Sequence, residues 1–201
     1  MTHQKYPPSA DLAHFVEYYW IARWDAAESA MFSMDVAASP SVTVAITSDT
    51  AEITGLVTKP FAQNLPGNGV VLGVTFRPGG FYPFGKNPMD RLTNQVVPLT
   101  NVFSGTRIKK ITSELDQPDQ ALVNAIEKLL RSKRPQEDPN IEAIEAILTR
   151  IKEDKQLTSV QKVCEAYDMS ERTLQRTFQH YVGIGLKWLV THYRSQDTVV
   201  K

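Results

Sequence analysis

A single cysteine in 201 residues, Cys164, excludes an intrachain disulfide and fits a reducing compartment. No run of eighteen apolar residues occurs, so no membrane-spanning helix is expected, and Met1-Thr-His-Gln-Lys-Tyr-Pro-Pro8 lacks the apolar core of a secretory signal. An excess of either charge is also missing: 22 Lys and Arg stand against 22 Asp and Glu, so any field that attracts nucleic acid must be local. Histidine is scarce, and the N-terminal half holds only His3 and His14, too few for the clustered ligands of a metal site. No pair of carboxylates and no Ser/His/Asp order stands out at informative spacing, which argues against an enzyme. The expectation is a soluble cytoplasmic protein without metal or cofactor.

What is present changes character along the chain. After the stiff lead at Pro7-Pro8, Phe15 to Trp24 alternates, with Tyr18, Trp20, Ala22 and Trp24 on one parity. Strands are also expected at Ser41 to Thr47, Glu52 to Thr58 and Val70 to Phe76, punctuated by Pro40, Ser48-Asp49, Pro60, Pro66-Gly-Asn-Gly69 and Pro78-Gly-Gly80. Short strands at this spacing suggest a small barrel or sandwich. From Asn101 the period lengthens: Val102, Phe103, Ile108, Ile111 and Leu115 mark one or two short helices, and Leu122, Val123, Ile126, Leu129 and Leu130 a longer one. The fold class is α+β, with a β-rich unit and its trailing helices over residues 1–134 and an all-helical unit over 135–201. The polar stretch Ser132-Lys-Arg-Pro-Gln-Glu-Asp-Pro139 is the linker between them.

Within the first unit, Phe76-Arg-Pro-Gly-Gly-Phe-Tyr-Pro-Phe84 combines two glycines that permit a sharp turn with three aromatic anchors. It lacks the glycine repeat and the lysine of a phosphate-cradling loop. Arg77 reads first as a structural ion pair or backbone donor and second as a partner for an anionic ligand. Trp20, Trp24, Phe32, Phe76 and Phe81 fit plain core better than an apolar ligand pocket.

In the helical unit, Asp138 caps a helix that has Pro139 at its first position and Ile141, Ile144, Leu148 and Ile151 on its buried face. Thr158 and Gln161 have capping-box spacing, so a second helix should start near Ser159, with Val160, Val163, Cys164 and Tyr167 as its apolar stripe. Asp168-Met-Ser170 interrupts it: Asp168 tolerates the left-handed conformation, Met169 tucks inward and Ser170 caps the next helix. Leu174, Phe178 and Tyr181 form the inner side of helix 170–181. Arg172, Thr173, Gln175, Arg176, Gln179 and His180 form a polar outer side of long hydrogen-bonding groups suited to phosphates and base edges. That is the pattern of a helix-turn-helix, although two short amphipathic helices can equally serve packing alone.

Met-Ser-Glu-Arg-Thr-Leu-Gln-Arg-Thr-Phe178, followed by Val182-Gly-Ile-Gly-Leu-Lys-Trp-Leu-Val-Thr-His-Tyr-Arg194, resembles the first helix-turn-helix and connecting helix of AraC-type transcriptional regulators. Asp168 departs from the glycine usual in that turn. The Phe76-to-Phe81 turn resembles one in the cupin-like N-terminal β-barrel of a subgroup of the same regulators, so the likeness covers most of the chain. It implies sequence-specific binding of double-stranded DNA through Arg172, Thr173, Gln175, Arg176 and Gln179, a small-molecule effector in the N-terminal domain, and a homodimer through the helices that follow the β unit.

Two features pull the other way. From Ile151 onward eight Lys or Arg face six Asp or Glu, a weak bias for a DNA-binding unit. AraC-type units carry two motifs, whereas this chain stops in or just after the connecting helix. On that reading the second motif is missing, and Leu189, Val190, Tyr193, Val199 and Val200 are left partly exposed. The alternative is therefore a ligand-binding or dimerising protein that no longer binds DNA appreciably.

Overall fold

The computed structural model describes residues 2–25 and 31–199, with the side chains of 31–35, 64–66 and 196–199 outside that description. Eight strands precede or flank the first helices: β1 (Thr2–Tyr6), β2 (Val16–Trp24), β3 (Met31–Val36), β4 (Thr43–Ile46), β5 (Ala51–Thr54), β6 (Phe61–Pro66), β7 (Gly69–Phe76) and β8 (Val96–Pro98). Six of them form one antiparallel sheet in the order β1-β2-β7-β4-β5-β8, and β3 pairs separately with β6.

The main sheet is open, ending at β1 on one side and β8 on the other, so the expected barrel is not formed. Helices cover the face that a barrel would turn inward. The short α1 (Tyr82–Gly85), α2 (Gly105–Ser113) and α3 (Asp119–Arg131) bury Phe84, Ile108, Ile111, Leu122, Ile126 and Leu129 against Tyr19, Ile21, Val44, Ile46, Leu72 and Val74. With that face already dry, closing the sheet would bury little further apolar area. The apolar residues of α2 and α3 thus serve the sheet, and a homodimer through these helices would have to use their outer sides.

β2 is hydrophobic on both faces, which explains its near-continuous apolar sequence. A register shift between Val16 and Tyr18 lets Val16, Tyr19 and Ile21 all join the helix-covered core. Trp20, Ala22 and Trp24 point the other way and cluster with Val71. Trp20 stands opposite Gly73 and Trp24 opposite Gly69. A Cβ at Gly73 would come within 1.9 Å of the Trp20 indole, and one at Gly69 within 2.4 Å of the Trp24 ring. The indoles lie on bare backbone. Phe76 and Phe81 meet edge-on at 5.0 Å inside the helix-covered core, so these aromatics are structural, while the Phe32 side chain lies outside the described residues.

β1, β3, β6 and β8 carry no strand signal strong enough to read. β1 is an exposed edge strand held to β2 by backbone pairing, with Lys5 over the Tyr18 ring at 4.0 Å. The strand expected over 52–58 ends at Thr54, where Gly55 N turns to donate to Gln95 O at 2.9 Å.

Four helices follow: α4 (Pro139–Glu153), α5 (Val160–Tyr167), α6 (Glu171–Tyr181) and α7 (Leu186–Val199). They enclose a second core of Ile144, Leu148, Ile151, Val163, Leu174, Phe178 and Leu186, which Leu56 of the first unit also joins. Leu189, Val190 and Tyr193 are buried in it, contrary to the exposure expected of them, because that side of α7 packs on α4. The Val199 side chain and Val200 lie outside the described residues.

Candidate functional site

α4 starts as its sequence predicts. Asp138 accepts from Asn140 N at 2.9 Å, Pro139 takes the first helical position, and Ile141, Ile144, Leu148 and Ile151 are buried. The cap of α5 is Ser159 rather than Thr158: Ser159 is extended and its Oγ accepts from Lys162 N at 3.3 Å. Gln161 does not reach back but donates to Glu165 at 3.0 Å. Of two adjacent hydroxyl residues, the one whose backbone is extended at the helix boundary takes the cap.

The turn between α5 and α6 forms as its residues require. Asp168 is left-handed at φ 49°, Met169 N donates to Cys164 O at 3.1 Å, and Met169 packs on the second core. Ser170 Oγ accepts from Thr173 N at 3.2 Å, and Glu171 lies in the first turn of α6. Cys164 is half-buried beside this turn, and burial pushes its thiol pKa up, so it packs as a small apolar group rather than a reactive thiolate.

α6 separates its faces cleanly. Leu174 and Phe178 are both 0 % exposed, whereas Arg172, Gln175, Arg176 and Gln179 are exposed along the opposite side. Thr173 is half-buried, and its hydroxyl lies 2.8 Å from Ser170 Oγ, so it belongs to the cap. His180 turns inward, with Nε2 at 2.9 Å from the Tyr82 hydroxyl.

The exposed side of α6 has a neighbour that the sequence does not announce. Arg172, Gln175, Arg176, Gln179 and His180 share a groove of about 540 Å³ with Pro88 and Asp90, which precede and open a 3-10 turn at Met89–Leu92. Asp90 of the sheet unit therefore shares the groove with the two arginines, without an ion pair to either among the described residues. Gly183, left-handed at φ +93°, lies so close to this turn that a Cβ would meet Met89 O at 2.6 Å, and its carbonyl accepts from Thr93 Oγ1 at 2.7 Å.

Tyr181 completes the joint. Its hydroxyl donates to Asp138 at 2.7 Å, its ring lies 4.6 Å from that of Tyr82, and burial with the Asp138 bond pushes its pKa up to about 12. Burial alone would raise the Asp138 pKa, but hydrogen bonds from Tyr181 and Asn140 outweigh it and hold the carboxyl below its ordinary value. The Pro78-Gly-Gly80 turn sits beneath this joint: Gly79, at φ +83°, approaches Tyr181 and Ile144, and a Cβ at Gly80 would meet Phe15 O at 2.2 Å. Arg77 ion-pairs with Glu145 of α4 and donates from Nε to Ala13 O at 2.8 Å, the structural role expected first of it.

His3 lies against Trp20, and His14 against Phe15 and Glu142 at 3.5 Å. Among the described residues no three His, Cys, Asp or Glu side chains converge to hold a metal, and no helix is long and apolar enough to cross a membrane.

Fold and site together define a mixed α+β protein: an open antiparallel sheet backed by helices, docked on a four-helix unit that displays one cationic, amide-rich helix face. Residues 4–98 match the model of a family described as a domain of unknown function (DUF6597). No curated protein and no solved structure matches the chain.

Proposed function

We propose that the protein is a transcriptional regulator of the AraC type, in which α6 enters the major groove of double-stranded DNA. The observation that carries the reading is the two-sided character of α6. Its inner side is anchored by fully buried Leu174 and Phe178, so Arg172, Gln175, Arg176 and Gln179 are held in one exposed row. Arginine pairs bidentately with guanine or phosphate and glutamine with adenine, so this row has the donors and acceptors that base reading needs. Arg172 and Arg176 are the principal contacts and Gln179 the next; Thr173 contributes by holding the cap. The sheet unit, with its helices, would carry the effector and dimer functions.

The test is fluorescence anisotropy against pooled genomic DNA fragments at low and moderate salt. Arg172→Ala should cost about 1–3 kcal/mol of selective binding, and the Arg172→Ala, Arg176→Ala double variant should abolish it. Unchanged binding by the double variant overturns the reading.

Asp90 favours a second reading, a ligand-binding or dimerising protein without appreciable DNA affinity, because it lines the same groove as the cationic row and its negative charge would repel phosphate. A strictly monomeric mass at all concentrations removes the dimerising form of that reading.

A further inference from the structure

The exposed side of α6 is not clear of the sheet unit. The 3-10 turn Met89–Leu92 packs on α6, and Pro88 and Asp90 share one groove with Arg172, Gln175, Arg176 and Gln179. An α-helix with its side chains is about 10–12 Å across and the major groove about 12 Å wide, so a helix lying in the groove has no space for a second stretch of backbone beside it. The turn cannot swing aside by itself, because Met89 is buried in the core of the sheet unit. The seam that seats it on α6 is narrow and largely polar. Thr93 Oγ1 donates to Gly183 O at 2.7 Å, the Tyr82 hydroxyl lies 2.9 Å from His180 Nε2, and Arg77 pairs with Glu145. Of the buried apolar residues in the two large cores, only Leu56 and Ile141 cross from one unit to the other. An interface of that make-up permits the units to move relative to one another while each core stays intact.

We propose that this docking is autoinhibitory: with the Met89–Leu92 turn seated on α6 the protein is closed to DNA, and binding requires the helical unit to part from the sheet unit along the seam of Tyr82 with His180 and Thr93 with Gly183. This rests on the reading of α6 as the DNA-binding helix. The affinity measured for the whole chain is then that of the open form reduced by the fraction of molecules that are open. Weakening the seam raises that fraction and the affinity with it, without any new contact to DNA. By the same linkage DNA opens the seam, so the turn loses protection when the duplex binds.

Two substitutions in the 201-residue chain loosen the seam without touching the exposed row. Thr93→Val removes the hydroxyl that holds the Gly183 carbonyl, and Tyr82→Phe removes the one beside His180; each stands in for the other if one does not fold. In anisotropy titrations with genomic DNA fragments each should tighten binding several-fold and the pair about tenfold, as the loss of two hydrogen bonds allows. Adding Arg172→Ala and Arg176→Ala to the pair should erase the gain. Hydrogen exchange gives a second readout: amides of residues 89–93 should exchange faster in the seam variants, and faster in the parent once DNA is added, while those of α3 are unchanged. Selective, arginine-dependent binding that the seam variants do not improve overturns autoinhibition and leaves the DNA-binding reading standing. A gain that persists without the two arginines also overturns it. Failure of the seam variants to bind DNA at all overturns both.

Discussion

Asp138 serves two elements with one carboxylate, capping α4 through Asn140 N and accepting from Tyr181 at the end of α6. Asp138→Ala should lower stability by about 1–2 kcal/mol in urea denaturation, the usual cost of losing such a cap. The sign of its pH dependence follows from its depressed pKa. The unfolded carboxyl titrates near 3.8 and the folded one lower, so its contribution is fully present above about pH 4 and is lost as pH falls through the folded value. Asp138→Asn should accordingly flatten the stability-versus-pH curve below pH 4 relative to the parent. Gly73 is constrained differently, by space alone. Gly73→Ala puts a methyl 1.9 Å from the Trp20 ring, and overpacking of that kind costs about 1–3 kcal/mol, to be read as a lower denaturation midpoint with an unchanged slope.

α6 is defined by its ends and its inner side. Ser170 starts it, Thr173 reinforces the cap, and Leu174 and Phe178 fasten it to the second core. Ser170→Ala removes the acceptor for Thr173 N and should cost about 1 kcal/mol. The loss should appear first as faster amide hydrogen exchange in the initial turn of α6, since the remainder stays packed. If exchange rises evenly through α4 and α7 as well, the four helices open as one unit and the cap has no local role. These end signals were legible in the sequence because caps and turns are local: Ser170, Asp168 and the Asp138-Pro139 pair act on backbone within three residues of themselves. The choice of Ser159 over Thr158 was not, since both carry a hydroxyl and only the path of the chain leaving α4 decides which one is extended at the boundary.

The two units are joined by contacts that each lie far apart in sequence: Arg77 with Glu145, Tyr82 with His180 and Tyr181, Thr93 with Gly183, and the groove shared by Asp90 with Arg172 and Arg176. A duplex is far wider than that groove, so DNA docked on α6 would meet Asp90 at its edge or displace the helical unit from the Met89–Leu92 turn. Asp90→Asn removes a negative charge from the approach of a phosphate and should raise DNA affinity several-fold at low salt, with the gain shrinking as salt is added. Anisotropy titrations at two ionic strengths check this; an affinity that does not change, or falls, would show that Asp90 lies outside the path of the duplex.

The sequence by itself determined the local structure: where α4 and α6 begin, the left-handed turn at Asp168, the strand character of β2, β4 and β7, and the polar row on α6. Each of these depends on propensity, capping or periodicity within about a dozen residues. Only the tertiary structure decided that the sheet stays open, that β1, β3, β6 and β8 exist, that Leu189, Val190 and Tyr193 are buried, and that Asp90 shares a groove with the arginines. Short edge strands are held by backbone bonds to a partner that side-chain patterns do not encode, and the sheet stays open because α2 and α3 occupy the face that closure would have buried.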